Sequence, residues 1–225
     1  MKKEVAMSLK LYFAPGACSF VPHALLETAG VPYEPLMVKI HKGENYDPEF
    51  KAINPRSQVP VLVDGDMVLT QILAVVNYLA ERFPEQRWLP PEPRARAKAL
   101  ETLAWMNNTV HPTFTHVFMP HKFVGTPEAQ AESKAFNAKL YAGMIGEIEA
   151  MAQAATAAGR PWLGGDGFGP IDAYSLVLLR WAGLAGIDPT SYAALWAHIQ
   201  KIAALPAVAR AIERERLQLN LYKPA

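Results

Sequence analysis

Apolar and polar positions change rhythm along this chain, and the changes divide it. Leu9 to Phe13 is a short apolar run that reads as a buried strand, and Tyr33 to Ile40 is strand-like again. Between them, Ser19 to Ala29 has helical spacing and is closed by Gly30. Tyr46 to Ile53 is a short helical or irregular segment, halted before Asn54-Pro55. Val59-Pro60-Val61-Leu62-Val63 and Met67-Val68-Leu69 flank Asp64-Gly65-Asp66, which predicts a hairpin. Ile72, Val75, Val76 and Leu79 then share one face of a helix. The order βαβαββα predicts a compact α/β domain with a parallel first half and an antiparallel hairpin.

Pro84, Pro90, Pro91 and Pro93 follow, a density that neither a helix nor a central strand tolerates. We therefore expect an α/β domain over residues 8–84, a stiff linker over 85–93 and an all-helical domain over 94–225. The helical candidates are Arg94–Val110, Glu128–Ala158, Ile171–Ala185, Tyr192–Ala203 and Ala207–Leu217. Breaks fall at His111-Pro112, Pro120, Gly125-Thr126-Pro127, Gly159-Arg160-Pro161, Gly164 to Pro170, Asp188-Pro189 and Pro206. Ile171 to Ala185 is apolar nearly all round, so it is expected to be the central helix of a bundle.

With 225 residues, 51% of them hydrophobic, the chain can bury a sizeable core. A net charge of +1 gives no support for nucleic-acid binding. A single cysteine cannot form an internal disulfide, which fits a reducing compartment. Met1–Met7 is followed by no apolar stretch of signal-peptide type, and no run reaches membrane-span length. The expectation is a cytoplasmic protein with no membrane partner.

Chemistry concentrates in Leu11-Tyr12-Phe13-Ala14-Pro15-Gly16-Ala17-Cys18-Ser19, where a strand enters a Pro-Gly turn before a helix. Cys18 and Ser19 fall at the helix N-terminus, where free N–H groups and the dipole favour a thiolate. Alternatively, Ser19 caps the helix and Cys18 packs as a small apolar residue. His111, His116 and His121 recur every five residues across two prolines, a spacing that predicts no metal site. Gly164-Gly165-Asp166-Gly167 lacks the Lys-Ser/Thr of a phosphate loop and reads as a turn.

These segments resemble cytosolic glutathione transferases. The stretch ending in Cys18-Ser19 is similar to the opening of the bacterial beta class. Asn54-Pro55-Arg56-Ser57-Gln58-Val59-Pro60-Val61-Leu62 resembles the family's N-P-x-x-x-V-P-x-L segment, and Gly167 to Tyr174 its helix-capping segment. The resemblance implies a thioredoxin-like N-terminal domain, an all-α C-terminal bundle and glutathione as co-substrate. It implies a cis Val59–Pro60 bond at a sheet edge, leaving the Val59 N–H and C=O to pair with the cysteinyl part of glutathione. Cys18, Ser19 and, secondarily, Tyr12 are then the thiol-activating candidates. Cys18 could also form a mixed disulfide with glutathione.

In the second domain, Trp105-Met106-Asn107 and His111-Pro112-Thr113-Phe114 resemble the beta-class helix that supplies an asparagine and a histidine to the site. His111 then bonds the thiolate or polarises an electrophile, or it is simply a polar residue at a helix end. Trp105, Phe114, Phe118 and Met119 line a pocket for a hydrophobic electrophile or belong to the core. Asp172 stands three residues after Gly169, where the family has Ser or Thr as cap, so the reciprocal capping box is incomplete. At the next helix start after the hairpin, Gln71 can accept from the α-amino group of glutathione. Ile72 stands where the family has Ser or Gly; it offers only its N–H to the γ-glutamyl carboxylate, and its branched side chain is expected to crowd the site.

The leading expectation is a homodimeric glutathione transferase acting on a hydrophobic electrophile. The alternatives are a module with weak or lost glutathione binding, motivated by Ile72, and a glutathione-dependent isomerase, dehalogenase or thiol-disulfide reductase.

Overall fold

The computed structural model describes residues 9–165 and 167–224. The expectations for Met1–Met7, for a domain start at Ser8 and for Asp166 in the glycine-rich turn lie outside these residues. Contacts group the chain into two units, one running to Gln86 and adding Leu205–Leu217, the other formed by Arg87–Ala204 and the segment from Gln218.

In the first unit, β1 (Leu9–Phe13) leads through the Pro15-Gly16 turn into α1 (Phe20–Ala29). Gly30 closes α1 in the left-handed conformation (φ 64°), as its position after the apolar run predicts. The chain continues through β2 (Glu34–Met37), the short α2 (Pro48–Ile53), the hairpin β3 (Val61–Asp64) and β4 (Met67–Thr70), and then α3 (Ile72–Arg82). The sheet order is β2-β1-β3-β4, with β1 parallel to β2 and antiparallel to β3. Leu11, Phe13, Val61 and Leu62 are buried from the sheet, with Phe20, Leu25 and Leu26 from α1 and Val75, Val76 and Leu79 from α3.

The second unit carries α4 (Pro93–Trp105), α5 (His111–Phe118), α6 (Pro127–Ala157), α7 (Pro170–Leu184) and α8 (Ala193–Ala203). The expected break at His111-Pro112 is instead a widened helical turn at Met106–Val110, and α5 continues from it. Pro112 has no N–H, and its ring would strike the carbonyl four residues back in a regular helix. The turn before it loosens so that the His111 N–H reaches Met106 O, five residues back. The helix α9 (Pro206–Glu215), expected in the helical domain, packs in the first unit because Val208, Ala211 and Glu215 bury there.

The helix α7 is buried along most of its length, including Ile171, Tyr174, Leu176, Leu178 and Leu179, as its all-round apolar pattern predicts. Its start is held by Asp172, which is fully buried. One Asp172 oxygen accepts from the Gly169 N–H (3.0 Å); the other accepts from the Leu163 N–H (2.9 Å) and contacts His198 Nε2 (2.8 Å). Only this half of a capping box exists, because Gly169 has no side chain to reciprocate. A side chain at position 169 is disfavoured in any case, since its Cβ would lie 3.0 Å from the Trp88 carbonyl. Asp172→Ala would orphan two buried N–H groups and the half-buried His198 at once. It is expected to lower the unfolding free energy by about 3–5 kcal/mol, measured by urea denaturation.

Candidate active site

The first unit builds a small site around the turn Pro15–Cys18. Gly16 adopts φ 69°, which only glycine takes up without strain. Ser19 is completely buried, and its Oγ both accepts from the Ala14 N–H (3.0 Å) and donates to the Ala14 carbonyl (3.3 Å). It does not cap α1, and its hydroxyl is spent closing the turn. Its expected role as a donor to a bound thiol therefore does not fit this geometry. Ser19 fixes the turn that presents Cys18.

Cys18 is 9% exposed and directs its thiol at the Val59 carbonyl, Sγ to O 3.6 Å. Burial pushes its pKa up to about 12, outweighing the Cys18 and Ser19 N–H groups that favour the anion; Glu215 adds to the rise. The expectation that the helix terminus makes Cys18 itself a thiolate is corrected by this burial. At neutral pH Cys18 is a hydrogen-bond donor.

The Val59–Pro60 bond is cis. Val59 is not on a lateral sheet edge, because β3 lies between β1 and β4. Its backbone is left open for another reason: the β1–β3 ladder stops at Tyr12 opposite Val61, and Pro60 has no N–H to extend it. Among the described residues the Val59 N–H meets no acceptor. The loop entering Val59 is clamped by Asn54, which is 2% exposed: its Nδ2 donates to the Gln58 carbonyl (2.8 Å) and its Oδ1 accepts from the Arg56 N–H (3.1 Å). Asn45 adds a hydrogen bond to the Ser57 carbonyl (3.0 Å). Tyr12 is half-buried on β1 with its ring edge-on to Phe50.

At the start of α3, Gln71 takes φ 72° and ψ 124°, a conformation that costs a non-glycine residue about 1–3 kcal/mol. Among the described residues no side chain caps α3, so its first N–H groups, beginning with Ile72, remain available to an anion. The Ile72 side chain is 4% exposed and belongs to the core face with Val75, Val76 and Leu79. The expected crowding is thereby corrected: the branched side chain points into the protein interior, and position 72 offers its N–H.

The second unit has a network of its own. His111 Nδ1 lies 2.9 Å from the Tyr174 hydroxyl, which lies 3.3 Å from Asn107 Oδ1. Both contacts are satisfied when the ring N–H donates to the hydroxyl and the hydroxyl donates to Asn107. Trp181 stacks obliquely on the imidazole at 4.8 Å between centroids. Burial lowers the His111 pKa to about 4, so at neutral pH the ring is uncharged. Phe114 is core, stacked on Trp181 at 4.7 Å, whereas Phe118 is 54% exposed.

Residues 7–81 match the family described as glutathione S-transferase, N-terminal domain. The chain is 31% identical over 210 residues to glutathione S-transferase GST-4.5 of Xanthomonas campestris, covering 93% of this chain and all of that one. It superposes on a sphingomonad glutathione S-transferase complexed with glutathione (TM-score 0.78, 30% identity), again over 93% of this chain and all of that one. A bacterial beta class enzyme from Sphingomonas chungbukensis matches over the same shares (TM-score 0.79, 27% identity). The chain belongs to the glutathione S-transferase family.

For a glutathione S-transferase, the sequence pointed to the turn and the cis-proline segment but missed three supports. Asn45 signals nothing by spacing, Tyr174 reads as core, and Glu215 lies in a charged helix far along the chain. The His111 network gives a pH dependence. Because burial places the folded-state value below the ordinary 6.5, the unfolded chain takes up the proton first as pH falls. This contribution is complete above about pH 6.5 and is lost by about pH 4, amounting to at most about 3 kcal/mol. Urea unfolding at pH 7 and at pH 4 is expected to show that loss in the native chain, and a smaller pH dependence in His111→Asn.

Proposed function

We propose that this chain is a beta-class-type glutathione transferase that binds glutathione along the Val59 backbone and adds its thiol to a hydrophobic electrophile. The observation that carries the reading is the Val59 N–H, which meets no acceptor among the described residues, beside a thiol held in its donor form. An extended peptide can add there as a further strand. Glutathione fits the polar groups that flank it. Its far carboxylate has the Ile72 N–H and the positive end of α3, and its α-amino group has the exposed Gln71 side chain.

Glutathione supplies the nucleophilic sulfur, with an ordinary pKa close to that of cysteine, about 8.5. Lowering it by one to two units needs roughly 1.4–2.7 kcal/mol of preference for the anion. A neutral Cys18 thiol, released when the ligand's own N–H takes over the Val59 carbonyl, contributes about 1.5–3 kcal/mol by donating to that anion, and the start of α1 about 0.3–1. Cys18 is thus the donor, Tyr12 a secondary one, and Ser19 the residue that fixes their turn. Asn107 and His111 enter the reading as neutral hydrogen-bonding groups toward the electrophile. A homodimer, a cytoplasmic setting and detoxification of apolar electrophiles complete it. With Ile72 turned into the core, nothing favours a chain that has lost glutathione.

Calorimetry is expected to detect glutathione binding at or below millimolar concentration, with conjugation to a generic aryl halide. Cys18→Ala is expected to lower kcat/KM about 10- to 150-fold, the equivalent of one charge-assisted hydrogen bond. No binding at millimolar glutathione would reject the reading.

A further inference from the structure

The carboxylate of Glu215 is completely buried in the first unit, close to the turn that presents Cys18. Its Oε2 accepts from the Gly16 N–H at 2.8 Å, across 199 residues of sequence, and its Oε1 is 2.6 Å from His23 Nδ1. His23 is also fully buried, between the rings of Phe13 and Tyr33. Its Nε2 has no partner among the described residues, so the imidazole is committed to Glu215 alone. Oε2 accepts from the Gly16 N–H, and with the His23 proton on Nδ1 the other oxygen accepts as well, the pattern of an ionised carboxylate. A buried negative charge is thereby fastened to the turn that leads into α1, whose dipole would otherwise favour an anion at Cys18.

We propose that Glu215 is a positioning residue for Cys18: its carboxylate fixes the Gly16 end of the turn and holds Cys18 as a thiol aimed at the Val59 carbonyl. This suits Cys18 to donate a hydrogen bond and withholds it from thiol-disulfide exchange. In that exchange a Cys18 thiolate, its proton given to solvent, would form a new S–S bond to one sulfur of a disulfide. The old S–S bond would break and the other half leave as a thiolate. Proximity to a like charge opposes the first of these events. The raised pKa of Cys18, to which Glu215 contributes after burial, agrees with the geometry. The groups facing Cys18 are the Cys18 and Ser19 N–H groups at the start of α1, the Val59 carbonyl and Glu215 from α9; His23 and Tyr33 face Glu215 in turn.

The proposal takes Cys18's importance from the glutathione-transferase reading, but its test needs no glutathione. Iodoacetamide alkylation of the full chain, followed by mass spectrometry across pH 7 to 11, reads Cys18 directly. The native chain at pH 8 is expected to react roughly 50- to 100-fold more slowly than the same chain unfolded in urea. Glu215→Gln, which keeps shape and removes charge, is expected to react about three- to fourfold faster than native at pH 8, its profile shifted about one pH unit lower. Glu215→Asp, which keeps the charge, is expected to stay within about 1.5-fold of native. Native-like kinetics in a folded Glu215→Gln chain would overturn the proposal, as would equal acceleration in both variants, the mark of mere loosening. Should Glu215→Gln not fold, an acceleration of about threefold or more in Glu215→Asp overturns it and a native-like rate supports it. Should neither variant fold, the native chain decides, and fast alkylation at pH 8 overturns the proposal. Failure of glutathione binding would leave these alkylation results standing, so the two readings fail separately.

Discussion

A β-ladder that stops one residue too early is the feature on which the rest of this site depends. Pro60 cannot donate, so the pairing of β1 with β3 ends at Tyr12 and Val61, and the Val59 peptide groups are left over. Unpaired backbone groups beside a protein interior are costly unless water or a ligand satisfies them. Here the carbonyl has the Cys18 thiol and the N–H is left without an acceptor among the described residues. Much of the surrounding structure keeps that N–H in place. Asn54 and Asn45 clamp the incoming loop, Ser19 closes the facing turn on Ala14, and Glu215 fastens the turn at Gly16.

Two opposing influences meet at Cys18, and their magnitudes decide its chemistry. The helix start favours an anion by a fraction of a kcal/mol to about one. Burial of a thiolate away from water costs several times more, and a carboxylate on the same turn adds to the cost. The thiol therefore stays protonated. That state suits a hydrogen-bond donor to another molecule's thiolate better than a nucleophile, so the anion is made on the ligand. His111 follows the same rule in the second unit, where burial strips it of charge and its network with Tyr174 and Asn107 is a neutral one.

Most of the fold was legible in the sequence because periodicity reports burial directly. Ile72, Val75, Val76 and Leu79 sit on one buried face, and the Asp64-Gly65-Asp66 signal falls on the β3–β4 hairpin. The misreadings came where a local rule met a tertiary one. Pro112 signals a helix stop, yet widening one turn was enough to accommodate it. Ser19 is a good capping residue by type, but Ala14 supplies both a donor and an acceptor within reach. Ile72 looked like an obstruction because its position in the motif was clear while its direction was not; its helical face points it inward. Glu215 and Tyr174 were illegible because only the folded chain brings them to Gly16 and His111.

The placement of a bound tripeptide against Val59 is tested most directly by amide chemical shifts in a labelled chain titrated with glutathione. The largest movements are expected at the Val59 and Ile72 N–H groups, with the Val59 amide moving downfield as it gains an acceptor. Saturating shifts that leave both amides unmoved while others respond would place the ligand elsewhere and contradict the account.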